Sequence, residues 1–285
     1  MVFIMKLTFI GTGAADWDWA NMPPGTRGST ATLIDGACLV DAGPTVFDSL
    51  ERFGADPAQI SDIVVTHSHG DHFRPQTVAA ISAVRQGRLA VWASPQALAK
   101  LDGVDCVRHE VGPGQRFACG AAAFTALPSN HQTEDVAEVT MHYLVEASGV
   151  ALLYALDGAW MLAKARSILK GALGGRRLDA VVWDATSGNS LRGWRFADHN
   201  DLAMIDALRA SMLGDGLVSE STVHVFDHVA RGLWPETAEG RAEVAESYGG
   251  ILAEDGGTLD IPDGSAREDC LECGAGGSAR GEKAQ

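Results

Sequence analysis

The segment most able to do chemistry is residues 66–72, which reads Thr-His-Ser-His-Gly-Asp-His directly after a run of apolar residues. Imidazole nitrogens and carboxylate oxygens are ligands that suit borderline divalent metal ions. Because its glycine lets the backbone bend without a Cβ clash, His67 and His69 can converge on one ion while Asp71 and His72 turn toward a second. A histidine-rich surface turn is the alternative, but it does not account for the apolar run in front. The segment therefore predicts a loop that serves two metal ions.

The same histidines and aspartate, His67-Ser68-His69-Gly70-Asp71-His72, resemble the HxHxDH signature of the metallo-β-lactamase-fold hydrolases. The resemblance extends to residues 5–13, which look like the opening strand and glycine turn of that fold, and to residues 38–43, which look like its Asp-x-Gly turn. It covers about residues 5–235. It implies an α/β fold, a four-layer αββα sandwich in which two mixed β-sheets are flanked by helices.

The resemblance also implies three metal ligands outside the turn. By order along the chain, His131 matches the third histidine, Asp157 the bridging aspartate and His228 the last histidine. The ligand set implied for the two ions, with Asp157 shared between them, is then His67, His69 and His131 for one and Asp71, His72 and His228 for the other.

Other interpretations stay open for some of these positions. Asp157 stands at the end of a strand-like run, where an ordinary helix N-cap would look much the same. His142 and His224 lie inside strand-like runs and are interpreted as strand residues, because binding residues favour loops. Trp183 is interpreted as a core residue because large aromatic side chains are usually well buried.

Two residues are candidates for proton transfer. Two divalent ions bridged by a hydroxide supply a nucleophile at neutral pH and neutralise charge on a phosphate or acyl oxygen. Asp71 could orient or deprotonate the attacking water. His199 resembles the histidine that opens a late helix in the phosphodiesterase branch of the family, where it acts as the general acid. A polar residue chosen for helix capping is the alternative for His199.

That branch, typified by tRNA 3′-processing endonucleases and the cyclic-phosphate phosphodiesterase of phosphonate breakdown, sets the functional expectation. We expect a metal-dependent hydrolase with two divalent ions, zinc in preference to manganese or iron, that cleaves a small anionic phosphodiester. Long nucleic acids are not expected, because the formal charge is −15 and nucleic-acid binders use clustered Lys and Arg. A lactonase or thioesterase on the same metals is the main alternative. An iron-dependent redox enzyme and a non-catalytic metal-binding module are the others.

Substrate contacts are expected from two aromatic residues and one cation. Trp17 and Trp19 follow the first strand and could form a wall for a base, sugar or aryl group, with core packing as the alternative. Arg195 could bind a phosphate, although surface solvation explains it equally well.

Length and composition favour one enzyme domain. Of the 285 residues, 46% are hydrophobic, which is ample for a core. We expect the hydrolase domain over residues 1–253 and a partly disordered tail over 254–285, where Gly, Ser and charged residues dominate. The chain has no apolar run of about 18 residues and no secretion-type leader, so neither a membrane partner nor export is expected. Five scattered cysteines indicate no disulfide framework, which favours a cytoplasmic protein; a homodimer is allowed.

Overall fold

The computed structural model describes residues 4–15, 18–23, 25–190 and 197–263. Trp17 and Arg195, two of the expected substrate contacts, lie outside the described residues. No helix within the described ranges is long and apolar enough to cross a bilayer.

The first sheet has seven strands. They are β1 (Ile4–Gly11), β2 (Ala31–Ile34), β3 (Cys38–Val40), β4 (Asp62–Val64), β5 (Ala90–Ala93), β6 (Val107–Glu110) and, from the end of the chain, β14 (Thr258–Pro262). Their spatial order is β14-β1-β2-β3-β4-β5-β6. Strands β14, β1, β2 and β3 pair antiparallel, and β3 to β6 pair parallel, so the sheet is mixed.

The second sheet also has seven strands and is mixed. It contains β7 (Arg116–Cys119), β8 (Ala122–Pro128), β9 (Met141–Ala147), β10 (Val150–Ala155), β11 (Ala180–Asp184), β12 (Val223–Asp227) and β13 (Ile251–Leu252). The order is β13-β12-β11-β10-β9-β8-β7. The pairs from β7 to β10 are antiparallel and those from β10 to β13 are parallel.

Helices cover the outer face of each sheet. They are α1 (Val46–Arg52), α2 (Pro75–Val84), α3 (Pro95–Ala99), α4 (Ala163–Leu173), α5 (Leu202–Gly214) and α6 (Ala238–Ser247). Side chains alternate between the two faces of a strand. On β10, Leu152 and Tyr154 therefore enter the cluster between the sheets, while Leu153 packs against the helices with Leu169 of α4. A third cluster joins the first sheet to α1, α2 and α3. The predicted αββα sandwich is confirmed.

The strand predictions for the central residues are also confirmed. Trp183 is 1% exposed and packs in the cluster under α4 and α5. His142 lies within β9 and His224 within β12, both buried.

The fold continues past the boundary expected at residue 253. Strand β14 pairs with β1, with Ile261 opposite Met5 and Leu259 opposite Leu7. Ile261 is fully buried in the cluster between the sheets. This short strand was not predicted from the sequence, because the segment around it is rich in Gly and acidic residues. The strand forms by pairing with β1, at the other end of the chain. Residues 264–285 lie outside the described residues.

Candidate metal centre

The predicted ligands all lie just after the carboxyl ends of strands. The turn at residues 66–72 comes after β4, His131 after β8, Asp157 after β10 and His228 after β12. These carboxyl ends meet along one edge of the sandwich, which is where open α/β sheets bind ligands. Ligands that are far apart in the sequence therefore become neighbours.

Two of the ligand positions have unusual backbone conformations. Asp157 has φ 53° and His228 has φ 61°, in the left-handed region that non-glycine residues rarely adopt. Such conformations cluster at functional sites and persist where the surrounding structure holds them in place. Gly70 does not have this conformation, and a Cβ there would meet only the flexible side chain of Arg74 at 3.6 Å. The expectation that a glycine is needed at position 70 to avoid a Cβ clash was therefore wrong. A glycine is required at Gly43, where a Cβ would lie 1.8 Å from the carbonyl oxygen of Asp71.

The structure brings all seven predicted ligands together in two groups. Within each group the candidate ligand atoms lie within 4.8 Å of one another. Asp157 belongs to both: its Oδ2 lies 3.3 Å from His67 Nε2 and its Oδ1 lies 2.9 Å from His228 Nε2. The groups are His67, His69, His131 and Asp157, and then Asp71, His72, Asp157 and His228. This is the division that the family resemblance implies.

Hydrogen bonds hold the outer nitrogens of three imidazoles. Nδ1 of His72 pairs with Oδ2 of Asp41 at 2.8 Å, and Nδ1 of His228 pairs with Oγ1 of Thr186 at 2.7 Å. Nδ1 of His67 pairs with Oγ1 of Thr66 at 2.9 Å. Histidines that bind metals generally use the other ring nitrogen in this way, which fixes the ring and directs the free nitrogen inward.

The inward-facing ring nitrogens lie close to one another, as ligands of a shared metal ion would. Nε2 of His67 lies 2.8 Å from Nδ1 of His69, and Nε2 of His72 lies 3.2 Å from Nε2 of His228. Oδ1 of Asp157 is buried and makes no hydrogen bond of acceptable geometry, although His228 Nε2 lies 2.9 Å away. Buried polar atoms normally have partners. Imidazole and carboxylate donors converging in this way are the donor set of a divalent metal site.

Electrostatics at the site also call for positive charge. Burial lowers the pKa of His67 well below its usual range. Burial acts in the same sense on His228, but the Asp157 carboxylate outweighs it and raises the pKa of His228 to about 10. Burial would raise the pKa of Asp157, yet the neighbouring His228 and His72 hold it well below its usual range. The Asp157 carboxylate thus stays ionised.

His199 stands beside both groups. Its Nδ1 pairs with Oδ2 of Asp184 at 2.8 Å, and its ring stacks on that of His228 with centroids 5.5 Å apart. The two rings, with Asp71, His69 and His131, line a cavity of about 270 Å³. His199 is not the helix cap, because Asp201 accepts the hydrogen bond from Met204 N at the start of α5.

Asp157 is not a helix cap either. The next helix, α4, begins at Ala163 with Leu162 as its N-cap. The capping interpretations of His199 and Asp157 are therefore both wrong.

Sequence reasoning missed Asp184. This aspartate is fully buried at the end of β11 and accepts hydrogen bonds from the backbone N–H groups of Gly158 and Thr186 at 3.0 Å. It also lies within 4.8 Å of Asp157, His199 and His228 in a third group of possible ligand atoms. The available signal was its position directly after the apolar run at residues 180–183, since Asp157 likewise follows a strand-like run.

Asp41 was also missed as a site residue, although its Asp-x-Gly turn was noted. Asp41 is fully buried and accepts hydrogen bonds from the backbone N–H and the hydroxyl of Thr66 as well as pairing with His72. Trp19, an expected substrate contact, lies half-buried in a 3₁₀ turn at Trp19–Asn21, and it is not among the described residues that line the cavity.

Known sequences are similar to parts of this chain. A family model described as "Beta-lactamase superfamily domain" matches residues 37–210. Zinc phosphodiesterase ELAC protein 1 of Mus musculus is 39% identical over 72 residues, which is 24% of this chain and 18% of that protein. Ribonuclease BN of Cronobacter sakazakii is 36% identical over 74 residues, 24% of this chain and 22% of that protein. The similar segment thus spans about a fifth of these relatives.

Solved structures share the fold over most of the chain. The metallo-β-lactamase fold protein YhfI from Bacillus subtilis has a TM-score of 0.68 and 16% identity, covering 90% of this chain and 99% of its own. A diphosphatase from the PhnP family has a TM-score of 0.65 and 20% identity, with 90% and 97% covered. Zn(2+)-bound PqqB from Methylobacterium extorquens has a TM-score of 0.65 and 18% identity, with 90% and 100% covered. The chain belongs to the β-lactamase superfamily and has the metallo-β-lactamase fold.

Proposed function

We propose that this protein is a phosphodiesterase that uses two divalent metal ions to cleave a small anionic substrate. The observation that carries the proposal is the position of His199, which is held by Asp184 at 2.8 Å and lines the same cavity as ligands of both groups. A hydrolase for esters with poor leaving groups needs a proton donor beside the metals. The names of the ELAC and PhnP-family proteins, a zinc phosphodiesterase and a diphosphatase, support the same reaction class.

His67, His69 and His131 would hold one ion, Asp71, His72 and His228 the other, with Asp157 shared. Ions bound there would supply Lewis acidity at neutral pH and neutralise charge on a phosphate. Zinc suits imidazole and carboxylate donors, and zinc is named for both the mouse relative and the PqqB structure.

The chain's own side chains would handle the protons. Oδ2 of Asp71 lies 3.3 Å from His72 Nε2, and Asp71 borders the cavity, where its carboxylate would orient the attacking water. His199 uses Nδ1 to bind Asp184, so its Nε2 is the atom that would give a proton to the leaving oxygen. Asp184 holds the imidazole in that orientation.

The size and charge of the molecule support a small substrate. The catalytic cavity measures about 270 Å³. The whole chain has 22 basic and 37 acidic residues, a formal charge of −15. A long polyanion would be repelled by most of this surface.

The test compares leaving groups in His199→Ala. The p-nitrophenolate group leaves a phosphodiester without protonation. The alkoxide leaving group of a dialkyl phosphodiester needs a proton donor. We expect the metal-loaded variant to lose about 10²- to 10⁴-fold in kcat on the dialkyl substrate, with a much smaller loss on bis-p-nitrophenyl phosphate. Asp184→Asn should show the same split in weaker form. His109→Ala, a histidine on β6 stacked on Trp92, is the matched control.

Two outcomes would contradict the proposal. Equal losses on both substrates, with less metal bound, would make His199 a ligand, as its grouping with Asp157 and His228 allows. Turnover of a lactone or an acyl thioester in preference to any phosphodiester, unaffected by His199→Ala, would assign the site to the alternative hydrolase class.

A further inference from the structure

A second cavity lies next to the metal centre. It measures about 630 Å³, within the size range of small-molecule sites. Gly13 and Val229 line it and are joined to each other by a β-bridge. The next residue along one segment, Ala14, and the preceding residue along the other, His228, line the catalytic cavity. The two cavities therefore lie on either side of this bridge.

The lining of this second cavity is rich in guanidinium groups. Arg27, Arg231 and Arg241 border it, and Glu236 is the one acidic residue among the described residues of its wall. In a chain of net charge −15, such a local excess of positive charge is unusual. Guanidinium groups bind phosphate and carboxylate oxygens through paired N–H donors.

Arg27 and Arg241 are held in place by contacts with neighbouring residues. Arg27 donates to the carbonyl oxygen of Ala253 at 2.7 Å and pairs with Glu254 at 2.6 Å, which neutralises its charge. Nη1 of Arg241 donates to the carbonyl oxygens of Pro235 at 3.2 Å and Glu236 at 2.8 Å.

The Nε atom of Arg241 is different, because it is buried and has no hydrogen-bond partner. A buried N–H without an acceptor costs free energy. Because this atom is buried, a ligand in the cavity would bind through the outer N–H groups of the Arg241 guanidinium, which the contacts of Nη1 hold in place at the cavity wall.

We propose that this second cavity binds an oxyanion, a phosphate group of the substrate remote from the scissile phosphodiester, through Arg231 and Arg241. The identification of the oxyanion as part of the substrate rests on the proposed phosphodiesterase function. Apolar surface from Pro23, Val229 and Trp234 would contact the organic part of the ligand between the two phosphates.

Calorimetric titration of the metal-loaded, full-length protein with inorganic phosphate provides a direct test. We expect two saturable binding events, one at the metals and one in the second cavity. Arg231→Gln and Arg241→Gln should weaken the second event at least about tenfold, the effect of losing roughly 1.4 kcal/mol, and leave the first unchanged. The control is Arg116→Gln, which should change neither event. Arg116 is a half-exposed residue of strand β7 that pairs with Glu146.

A kinetic comparison gives a second readout. Arg241→Gln should raise KM for a phosphodiester that carries an additional terminal phosphate, and leave kcat unchanged. It should not raise KM for bis-p-nitrophenyl phosphate, which has no second anionic group. If Arg241→Gln melts below the wild type, Arg241→Lys keeps the charge and removes the paired N–H donors of the guanidinium, and it carries the same expectation.

The outcomes separate this inference from the proposed function. A single phosphate event, or a second event equally strong in both arginine variants, overturns the cavity site. An equal rise in KM for both substrates also overturns it. A second event that depends on Arg241 in a protein with no phosphodiester turnover supports the oxyanion site and overturns the phosphodiesterase proposal alone.

Discussion

Oε2 of Glu138 accepts a hydrogen bond from the hydroxyl of Ser68 at 2.6 Å, and Ser68 stands between two of the proposed metal ligands. The other carboxylate oxygen accepts one from Ser94 at 2.5 Å. Glu138 is buried, and it belongs to the segment that follows His131. One carboxylate therefore ties the loop that carries His131 to the loop that carries the HxHxDH histidines.

Replacing Glu138 should loosen the metal group that these loops share. We expect Glu138→Ala to weaken metal binding by His67, His69 and His131 about tenfold or more, because outer hydrogen bonds orient metal ligands. Competitive titration of the metal-free protein with zinc and a chelator measures this affinity. Glu220→Ala, at an exposed glutamate, is the control. Unchanged affinity in Glu138→Ala would show that the two loops keep their positions without the carboxylate.

Removing the shared aspartate should reduce the amount of metal bound. Asp157 contacts histidines of both groups. We therefore expect the metal content of Asp157→Ala to fall from about two ions per chain, the dinuclear stoichiometry, to one or fewer. Elemental analysis of dialysed protein gives the ratio. Asp215→Ala, which removes a surface partner of Arg166, should keep the wild-type content. Full occupancy in Asp157→Ala would remove Asp157 from the site.

Deleting the last strand should destabilise the fold. A chain that ends at Ala253 loses β14 with its buried Ile261, and loses Asp255, whose carboxylate accepts hydrogen bonds from Thr12 Oγ1 at 2.7 Å and Gly28 N at 2.6 Å. We expect the free energy of unfolding to fall by at least about 3 kcal/mol. Urea denaturation measures it, with a chain that ends at residue 263 as control. Equal stability of the two chains would mean that this strand adds nothing to the domain.

His224 should make stability depend on pH. Burial lowers its pKa to about 4. Between that value and the ordinary value of about 6.5, the unfolded chain takes up a proton that the folded protein does not, so stability falls as pH falls through this window and is unaffected above it. The contribution lost at pH 5 is about 2 kcal/mol.

The variant His224→Gln keeps an acceptor for the indole N–H of Trp183, which donates to His224 Nδ1 at 3.1 Å. We expect the difference in unfolding free energy between pH 7 and pH 5 to be smaller in this variant than in the wild type, as measured by urea denaturation at each pH. The same difference in both proteins would show that His224 protonates alike in the folded and unfolded chains.

Much of the candidate site could be predicted because its signals are local. The HxHxDH turn contributes four of the proposed ligands within one loop. His131, Asp157 and His228 each follow a strand recognisable from its apolar residues, and the family order assigned them. The same approach failed for Asp184. In sequence, an aspartate after a strand that binds a distant histidine cannot be distinguished from one that only caps its own turn.

The amino-acid sequence by itself determined the donor types and their order, because these depend on residue chemistry. Through the resemblance carried by the short HxHxDH motif, it also indicated the layered class of fold. Only the tertiary structure decided that Asp184 holds His199, that Glu138 holds Ser68 and that Thr258–Pro262 completes the first sheet. Each of these pairs joins separate loops or strands. Their formation depends on how the two sheets pack, and a sequence pattern carries no record of which distant side chains that packing brings together.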